Sequence, residues 1–327
     1  MRHFKELADL GPGGIERLLD AADRLLELRG QAAHPRPLQG KSVALVFQKA
    51  STRTRVSLEV AVAELGGHPL VITSSGSQLG RGEPIRDTAR VLSRMAHAIT
   101  FRTFSQAEFD EMARYSSVPV LNALTDDGHP MQILADLQTV RRHFSGAQGL
   151  QGSQGASARG TSAQGAAEPL PLTALRYCWL GDGNNVAASW IEAAGLLGLD
   201  LTLACPEGYE PSSEVLTKAR ERGGQVQLTR DPEAAARGAH VLVTDVFTSM
   251  GQEAEQAARL AAFEGYQLDA RLLGLADPRA VVLHCLPAHR GEEISEEVLE
   301  GPQSLVWDEA EARLHTAKAL LEWAFAP

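Results

Sequence analysis

Ser51-Thr52-Arg53-Thr54-Arg55 sets hydroxyls beside two guanidiniums, after an apolar run that suits a strand and before a stretch that suits a helix. A helix start leaves its first backbone N–H groups without intrahelical partners, and hydroxyls and guanidiniums added to them make a place for a phosphate dianion. The same residues also suit a helix cap followed by solvated arginines, and spacing alone does not separate the two. The GxxxxGK[ST] pattern of nucleotide phosphate loops is missing.

Other residues of chemical interest are single. Asp245 ends the apolar run HVLVTD, where ligand sites of open α/β sheets lie and where an aspartate also caps turns. His129 precedes Pro130, a position that suits a helix start or a packed ring as well as chemistry. Cys285 closes the run VVLHC, and a free cysteine there is commonly an inert buried thiol. His284, Cys285 and His289 invite a reading as metal ligands. Against it, neighbouring residues of a strand point to opposite faces, and no second cluster completes four-coordination. GDGNN, residues 181 to 185, begins as a dinucleotide-binding turn does, but Val186 stands where the third glycine of GxGxxG belongs.

The elements that must position these residues are legible as alternation. Residues 13 to 29 place Ile15, Leu18, Leu19, Ala22, Leu25 and Leu26 on one helical face. SVALVF, HPLVIT, AITFRTF and VPVLNAL then alternate with helical patterns, one of them near residues 84 to 95 with Ala89, Leu92 and Met95 expected to pack inward. LRYCWLG, LTLAC, HVLVTDV and AVVLHCLP repeat the rhythm after residue 170. Strand and helix in this order predict an α/β protein of two domains, each a parallel sheet flanked by helices. A last helix at residues 309 to 324, with Leu314, Ala317, Leu320 and Leu321 on one side, is expected to pack back on the first domain. The length of 327 residues suits two domains of ordinary size. A net charge of -10 disfavours nucleic acid and anionic membrane as partners, and an anionic ligand needs a local cluster of cations. No apolar run is long enough to span a bilayer. Three cysteines, far apart and odd in number, fit a reducing cytoplasm.

STRTR after a strand resembles the carbamoyl phosphate signature of the aspartate and ornithine carbamoyltransferases. Further family motifs recur in order: FRTF with Arg102, HPMQ with His129 and Gln132, GDGNN, DVFTSMG at 245 to 251, HCLPAHRG at 284 to 291 and DEAEARLHT at 308 to 316. The resemblance implies that residues 1 to 144, with 309 to 327, bind carbamoyl phosphate and that 170 to 308 bind the amine acceptor. Ser51, Thr52, Arg53 and Thr54 would hold the phosphate, and Arg102, His129, Gln132 and Arg313 the carbamoyl end and bridging oxygen. Negative charge developing on those oxygens is where fixed donors are most useful. Asn185, Asp245, Ser249 and Met250 would hold the α-amino and α-carboxylate ends of L-ornithine. Cys285 and Leu286 would lie beside the reacting amine, which must lose a proton before it attacks, and with Gln78 would also help bind carbamoyl phosphate; Arg102, His129, Cys285 and Arg313 would be the catalytic residues. Gln78 would reach the active site of a neighbouring subunit in a homotrimer or a multiple of trimers. Neither metal nor other cofactor is called for. SMG favours ornithine over aspartate; putrescine and N-acetylornithine are the nearer rivals, and a catalytically inactive relative is the non-enzymatic alternative. Gln48, Leu58, Arg81 and Pro84 depart from the residues usual at their positions.

Residues 145 to 168, almost wholly Gly, Ala, Ser and Gln, lack the apolar content for a core and are expected to form a flexible insert. Deleting residues 148 to 166 should leave turnover close to that of the intact chain; an inactive deletion variant would give the insert a role in the reaction.

Overall fold

The structure, a computed structural model, describes residues 2–78, 82–146, 168–248 and 253–326. The insert proposed for residues 145 to 168 therefore lies almost wholly outside the described residues. Two compact units result: Met1–Ala135 with Asn184–Ser189 and Glu311–Pro327, and Asp136–Gly183 with Trp190–Ala310.

The first unit is built on strands β1 (Ser42–Phe47), β2 (His68–Thr73), β3 (Ala98–Arg102) and β4 (Val120–Leu124), and on helices α1 (Pro12–Glu27), α2 (Thr52–Glu64), α3 (Ile85–Leu92) and α4 (Gln106–Tyr115). The strands pair in parallel in the order β2-β1-β3-β4. β3 and β4 are buried at every residue, the near-continuous apolar type of a sheet covered on both faces. Ala44, Val46, Ile99 and Phe101 pack with Ile85 and Ala89 of α3 and with Phe109 and Met112 of α4. In α1 the expected face is buried from Ile15 to Leu25, with Leu26 half-buried at its border. Met95 departs from expectation: it is 72% exposed. α3 ends at Leu92, and the turns that follow rotate Met95 off the helical face that the spacing assumed.

Helix α5 (Pro130–Phe144) follows β4. In the second unit, β5 (Arg176–Leu180), β6 (Asp200–Ala204), β7 (Gln225–Thr229), β8 (Val241–Thr244) and β9 (Val281–His284) pair in parallel in the order β7-β6-β5-β8-β9. Its helices are α6 (Asn185–Leu197), α7 (Ser213–Glu221), α8 (Pro232–Ala236), α9 (Gln256–Ala262), α10 (Ala270–Leu273) and α11 (Glu296–Leu299). The strand order reverses direction beside β5, so the ends of β5 and β8 flank a topological switch point.

The final helix, α12 (Val306–Phe325), returns its last residues to the first unit, as the sequence pattern anticipates. Its Ala317, Leu320 and Leu321 are buried, and Trp323 meets Phe4 edge to face at 6.2 Å. Lys318, wholly buried, is held 2.5 Å from Glu64 of α2. Burial by itself would raise the Glu64 carboxyl, but Lys318 and Arg29 together draw it below the usual carboxylate range.

Parallel strands put all their carboxyl ends on one edge of a sheet. Phe47 pairs with Arg102 and Arg102 with Leu124, so the segments that follow β1, β3 and β4 leave the same edge. They carry Ser51 to Thr54, Arg102 and His129 respectively. In the second sheet the same rule places GDGNN after β5, Asp245 after β8 and Cys285 after β9.

Gly195 of α6 lets that helix approach α7 closely: a Cβ there would stand 2.7 Å from the Ala219 Cα and 3.0 Å from its carbonyl oxygen. Backbone cannot yield as a side chain does, so Gly195→Ala should destabilise the fold by about 1–3 kcal/mol. Chemical denaturation checks this, and a variant of unchanged stability would mean that the helices separate without penalty.

Candidate active site

In the first unit, Ser51 caps α2, its Oγ accepting the Thr54 N–H at 3.4 Å. Thr54 is buried one turn into the helix, while Thr52 is exposed and Arg53 half-buried. The Arg313 guanidinium, from α12, donates through Nη2 to Thr54 Oγ1 at 2.9 Å and through Nη1 to Gln132 Oε1. These three side chains are buried. One guanidinium thus ties the first turns of α2 and α5 together. Arg102, at the end of β3, is also buried.

His129 sits immediately before α5, and its backbone N–H donates to Ser189 Oγ at 2.9 Å. Burial, and then the positive charges of Arg313, Arg102 and Arg53, push its imidazole well below the ordinary histidine range. The ring is therefore neutral at physiological pH and offers one donor and one acceptor. Its Nδ1 is buried and meets no hydrogen-bond partner among the described residues. Around the α2 N-terminus the structure thus gathers Ser51, Thr52, Arg53, Thr54, Arg102, His129, Gln132 and Arg313. The second guanidinium of STRTR does not join them: Arg55 lies exposed and pairs with Glu59 one turn along, at 2.6 Å. Arg313, remote in sequence, supplies the fork instead. Gln78 is exposed, and no described contact joins it to this cluster.

Gln48 occupies the turn between β1 and the STRTR segment, where its side chain accepts a hydrogen bond from Thr103. Leu58 is fully buried on α2. Both departures from the usual family residues therefore act on what lies behind the cluster.

In the second unit, the Cys285 thiol donates to Asp245 Oδ1 at 3.0 Å, and the same oxygen accepts the Val246 N–H at 2.8 Å. Burial, then the Asp245 charge and that hydrogen bond, raise the thiol well above its ordinary range. Cys285 is thus a protonated donor, since a nucleophilic cysteine requires the opposite shift. The next residue, Leu286, has a left-handed backbone (φ 58°) and precedes a cis peptide bond to Pro287.

His284 and Cys285 do not point to opposite faces, contrary to the expectation from strand alternation. β9 ends at His284, strict alternation ends with it, and Asp245, His284 and Cys285 offer ligand atoms within 4.8 Å of one another. Both His284 ring nitrogens are engaged, however: Nδ1 by the Leu286 N–H and Nε2 by Glu293. A cation could use this imidazole only by displacing one of them.

GDGNN turns sharply after β5. A Cβ on Gly183 would stand 2.2 Å from the Pro211 nitrogen, so only glycine fits. Asn184 caps α6 by accepting the Val186 and Ala187 N–H groups. Asn185 instead donates to the Thr125 carbonyl at 2.7 Å and belongs to the first unit. Asp182 forms a buried ion pair with Arg259 at 2.9 Å, and Arg259 also donates to the Phe247 carbonyl at 3.1 Å. Ser249 and Met250 lie outside the described residues. Sequence reasoning passed over Arg259 and Glu293, because a lone arginine in QAARLAA and one glutamate of a pair carry no spacing signal.

The family model described as the aspartate/ornithine carbamoyltransferase carbamoyl-P binding domain matches residues 2–142. That of the Asp/Orn binding domain matches 173–324. An ornithine carbamoyltransferase of Geobacter sulfurreducens is 51% identical over 322 residues, covering 98% of each chain. The crystal structure of ornithine carbamoyltransferase from Thermus thermophilus aligns with a TM-score of 0.84 at 40% identity, covering 100% of this chain and 99% of that one. The ornithine carbamoyltransferase structure from Pyrococcus furiosus aligns at 0.86 and 41%, covering 98% and 96%.

The His129 ring should titrate well below 6.5 when followed by NMR. Replacing Arg313 with Leu removes one of the depressing charges, so the midpoint should rise part of the way, burial remaining. A ring already protonated at neutral pH, or a midpoint indifferent to Arg313, would overturn this account of the cluster's electrostatics.

Proposed function

This chain belongs to the aspartate/ornithine carbamoyltransferase family, and we propose from that premise that it transfers the carbamoyl group of carbamoyl phosphate to the side-chain amine of L-ornithine. The observation that carries the proposal is the cationic cluster at the α2 N-terminus, in which a buried neutral His129 lies under the influence of Arg53, Arg102 and Arg313. Such a site suits a small dianion that also bears a carbonyl.

In this reading the hydroxyls of Ser51, Thr52 and Thr54, with Arg53, bind the phosphate of carbamoyl phosphate. Arg102, His129, Gln132 and Arg313 address the carbamoyl group and the bridging oxygen. The neutral ornithine amine attacks the carbamoyl carbon through its lone pair. The bond from that carbon to the bridging oxygen breaks, phosphate leaves with the electron pair, and the proton shed by the attacking nitrogen passes to the departing phosphate. Charge accumulates on the carbamoyl and phosphate oxygens, and preorganised donors stabilise it there without reorganising. Neutral His129 can donate one ring N–H to such an oxygen without bringing a proton to exchange.

The acceptor site is assigned to Asn185, Asp245, Ser249 and Met250, which would hold the α-amino and α-carboxylate groups, with Cys285 and Leu286 beside the reacting amine. A thiol held protonated against Asp245 supports direct transfer over a carbamoyl-cysteine intermediate. The chemistry calls for no metal and no other cofactor. We assign carbamoyl phosphate binding to residues 1–144 with 309–327, and ornithine binding to residues 170–308. The working form is taken as a cytoplasmic homotrimer, or a multiple of trimers, in which Gln78 serves a neighbouring subunit. No described helix is long and apolar enough to cross a membrane.

Citrulline formation measured with L-ornithine, beside L-aspartate, putrescine and N-acetyl-L-ornithine, tests the acceptor. Ornithine should be used far better than the rest, and Arg53→Ala should lower turnover by roughly 10²–10³-fold, the scale for one donor removed from a developing oxyanion. Turnover with another acceptor alone would leave the phosphate site standing and overturn the acceptor assignment; no turnover with any would point to an inactive relative.

A further inference from the structure

We propose that His284 and Glu293 form a buried positioning dyad that holds the Leu286 amide, and through it the Cys285 thiol, in the geometry used to handle the acceptor amine. The inference deepens the carbamoyltransferase reading and rests on it.

β9 ends at His284, yet the next residue must bring its thiol against Asp245 of the neighbouring strand's end. Leu286 completes that turn at φ 58°, a region that side chains with a Cβ avoid. Such a conformation persists only when its surroundings over-determine it. The hold here is a set of hydrogen bonds converging on one imidazole. The Leu286 N–H donates to His284 Nδ1 at 2.9 Å. Nδ1 can accept only if the ring proton is on Nε2, and Nε2 lies 3.0 Å from Glu293 Oε1. Glu293 thereby sets both tautomer and ring rotation, as an outer carboxylate does for a ligating histidine.

Two further bonds complete the frame. The His284 backbone N–H donates to Glu309 Oε2 at 2.8 Å, and Glu293 Oε1 also receives the His289 N–H at 2.5 Å. The segment from His284 to His289 is thus pinned at its start, middle and end. His284 and Glu293 are 1% and 0% exposed, so neither is placed to touch a substrate. Packing alone does not account for them, since replacing both partners of a buried hydrogen bond by apolar groups of the same shape can be nearly neutral for stability. What they hold accounts for them: without an acceptor at Nδ1 the left-handed Leu286 amide is stranded, and the thiol one residue earlier loses its register against Asp245.

The two ring nitrogens can be separated by substitution. Asparagine puts its carboxamide oxygen near the position of Nδ1, whereas glutamine reaches towards that of Nε2. Positioning through the Leu286 amide requires His284→Gln to raise the KM for ornithine by roughly tenfold or more, the scale of one buried donor left unpaired, while His284→Asn does less harm. Glu293→Leu should resemble His284→Gln, and Glu293→Gln, whose Oε1 can accept both N–H groups, should rescue it. The KM for carbamoyl phosphate should change less than that for ornithine in each variant. A second readout needs no acceptor: the rate at which iodoacetamide alkylates Cys285, located by mass spectrometry, should rise in His284→Gln and Glu293→Leu but remain near native in the other two. Cys178 and Cys205 are buried and serve as internal controls.

If native protein fails to use ornithine while the alkylation order holds, the acceptor reading fails and the dyad's grip on Cys285 stands. Equal alkylation in every variant, a reversed order of His284→Asn and His284→Gln, or losses that merely follow the unfolding temperature would overturn the inference. Should the His284 variants fail to fold, the two Glu293 variants decide it by the same measurements.

Discussion

Arg313 is buried, and a guanidinium removed from water must find its hydrogen-bond acceptors inside the protein. It finds Thr54 and Gln132, the first at the start of α2 and the second at the start of α5. Much of the first unit follows from satisfying that one group. α12 must return its last residues to this unit, and the STRTR turn must cap its helix so that Thr54 faces inward while Arg55 faces out. Lys318 and Trp323, further along α12, reinforce the docking through Glu64 and Phe4. The same guanidinium thus joins the start of one helix to that of another through side-chain oxygens.

The overall charge is negative, yet the cluster around the α2 N-terminus is strongly cationic. Locality makes this possible: three guanidiniums lie close enough to His129 to depress its basicity together with burial. The second unit shows the opposite sign. There Asp245 lies against a thiol and, with burial, keeps it protonated. The two sets of residues therefore hold protons in the states that direct transfer between an anionic donor and an amine would use: an uncharged imidazole among cations, and an S–H donor on a carboxylate.

Several buried or part-buried charged residues serve to hold other protein groups. Glu293 and Glu309 hold His284, and Arg259 holds Asp182 and the Phe247 carbonyl. Each is a charge placed beside a segment that leaves the carboxyl end of a strand. Such segments are where the chain is least constrained by sheet pairing, so buried polar contacts must determine their shape.

The order of strands and helices, the parallel sheets and the helix cap at STRTR were determined by the sequence itself, because periodicity and helix capping are local and STRTR is contiguous. Motif order also brought Arg102, His129, Asp245, Cys285 and Arg313 to attention, although no local rule says that Arg313 and Thr54 touch. Only tertiary structure decided that contact, along with the outward turn of Arg55 and Met95, the end of strand alternation at His284 and the placement of Asn185 with the first unit. The physical reason is the same in each case. These outcomes depend on which group across the fold offers an acceptor, a charge or a free volume, and groups up to 259 residues apart leave no trace in local spacing.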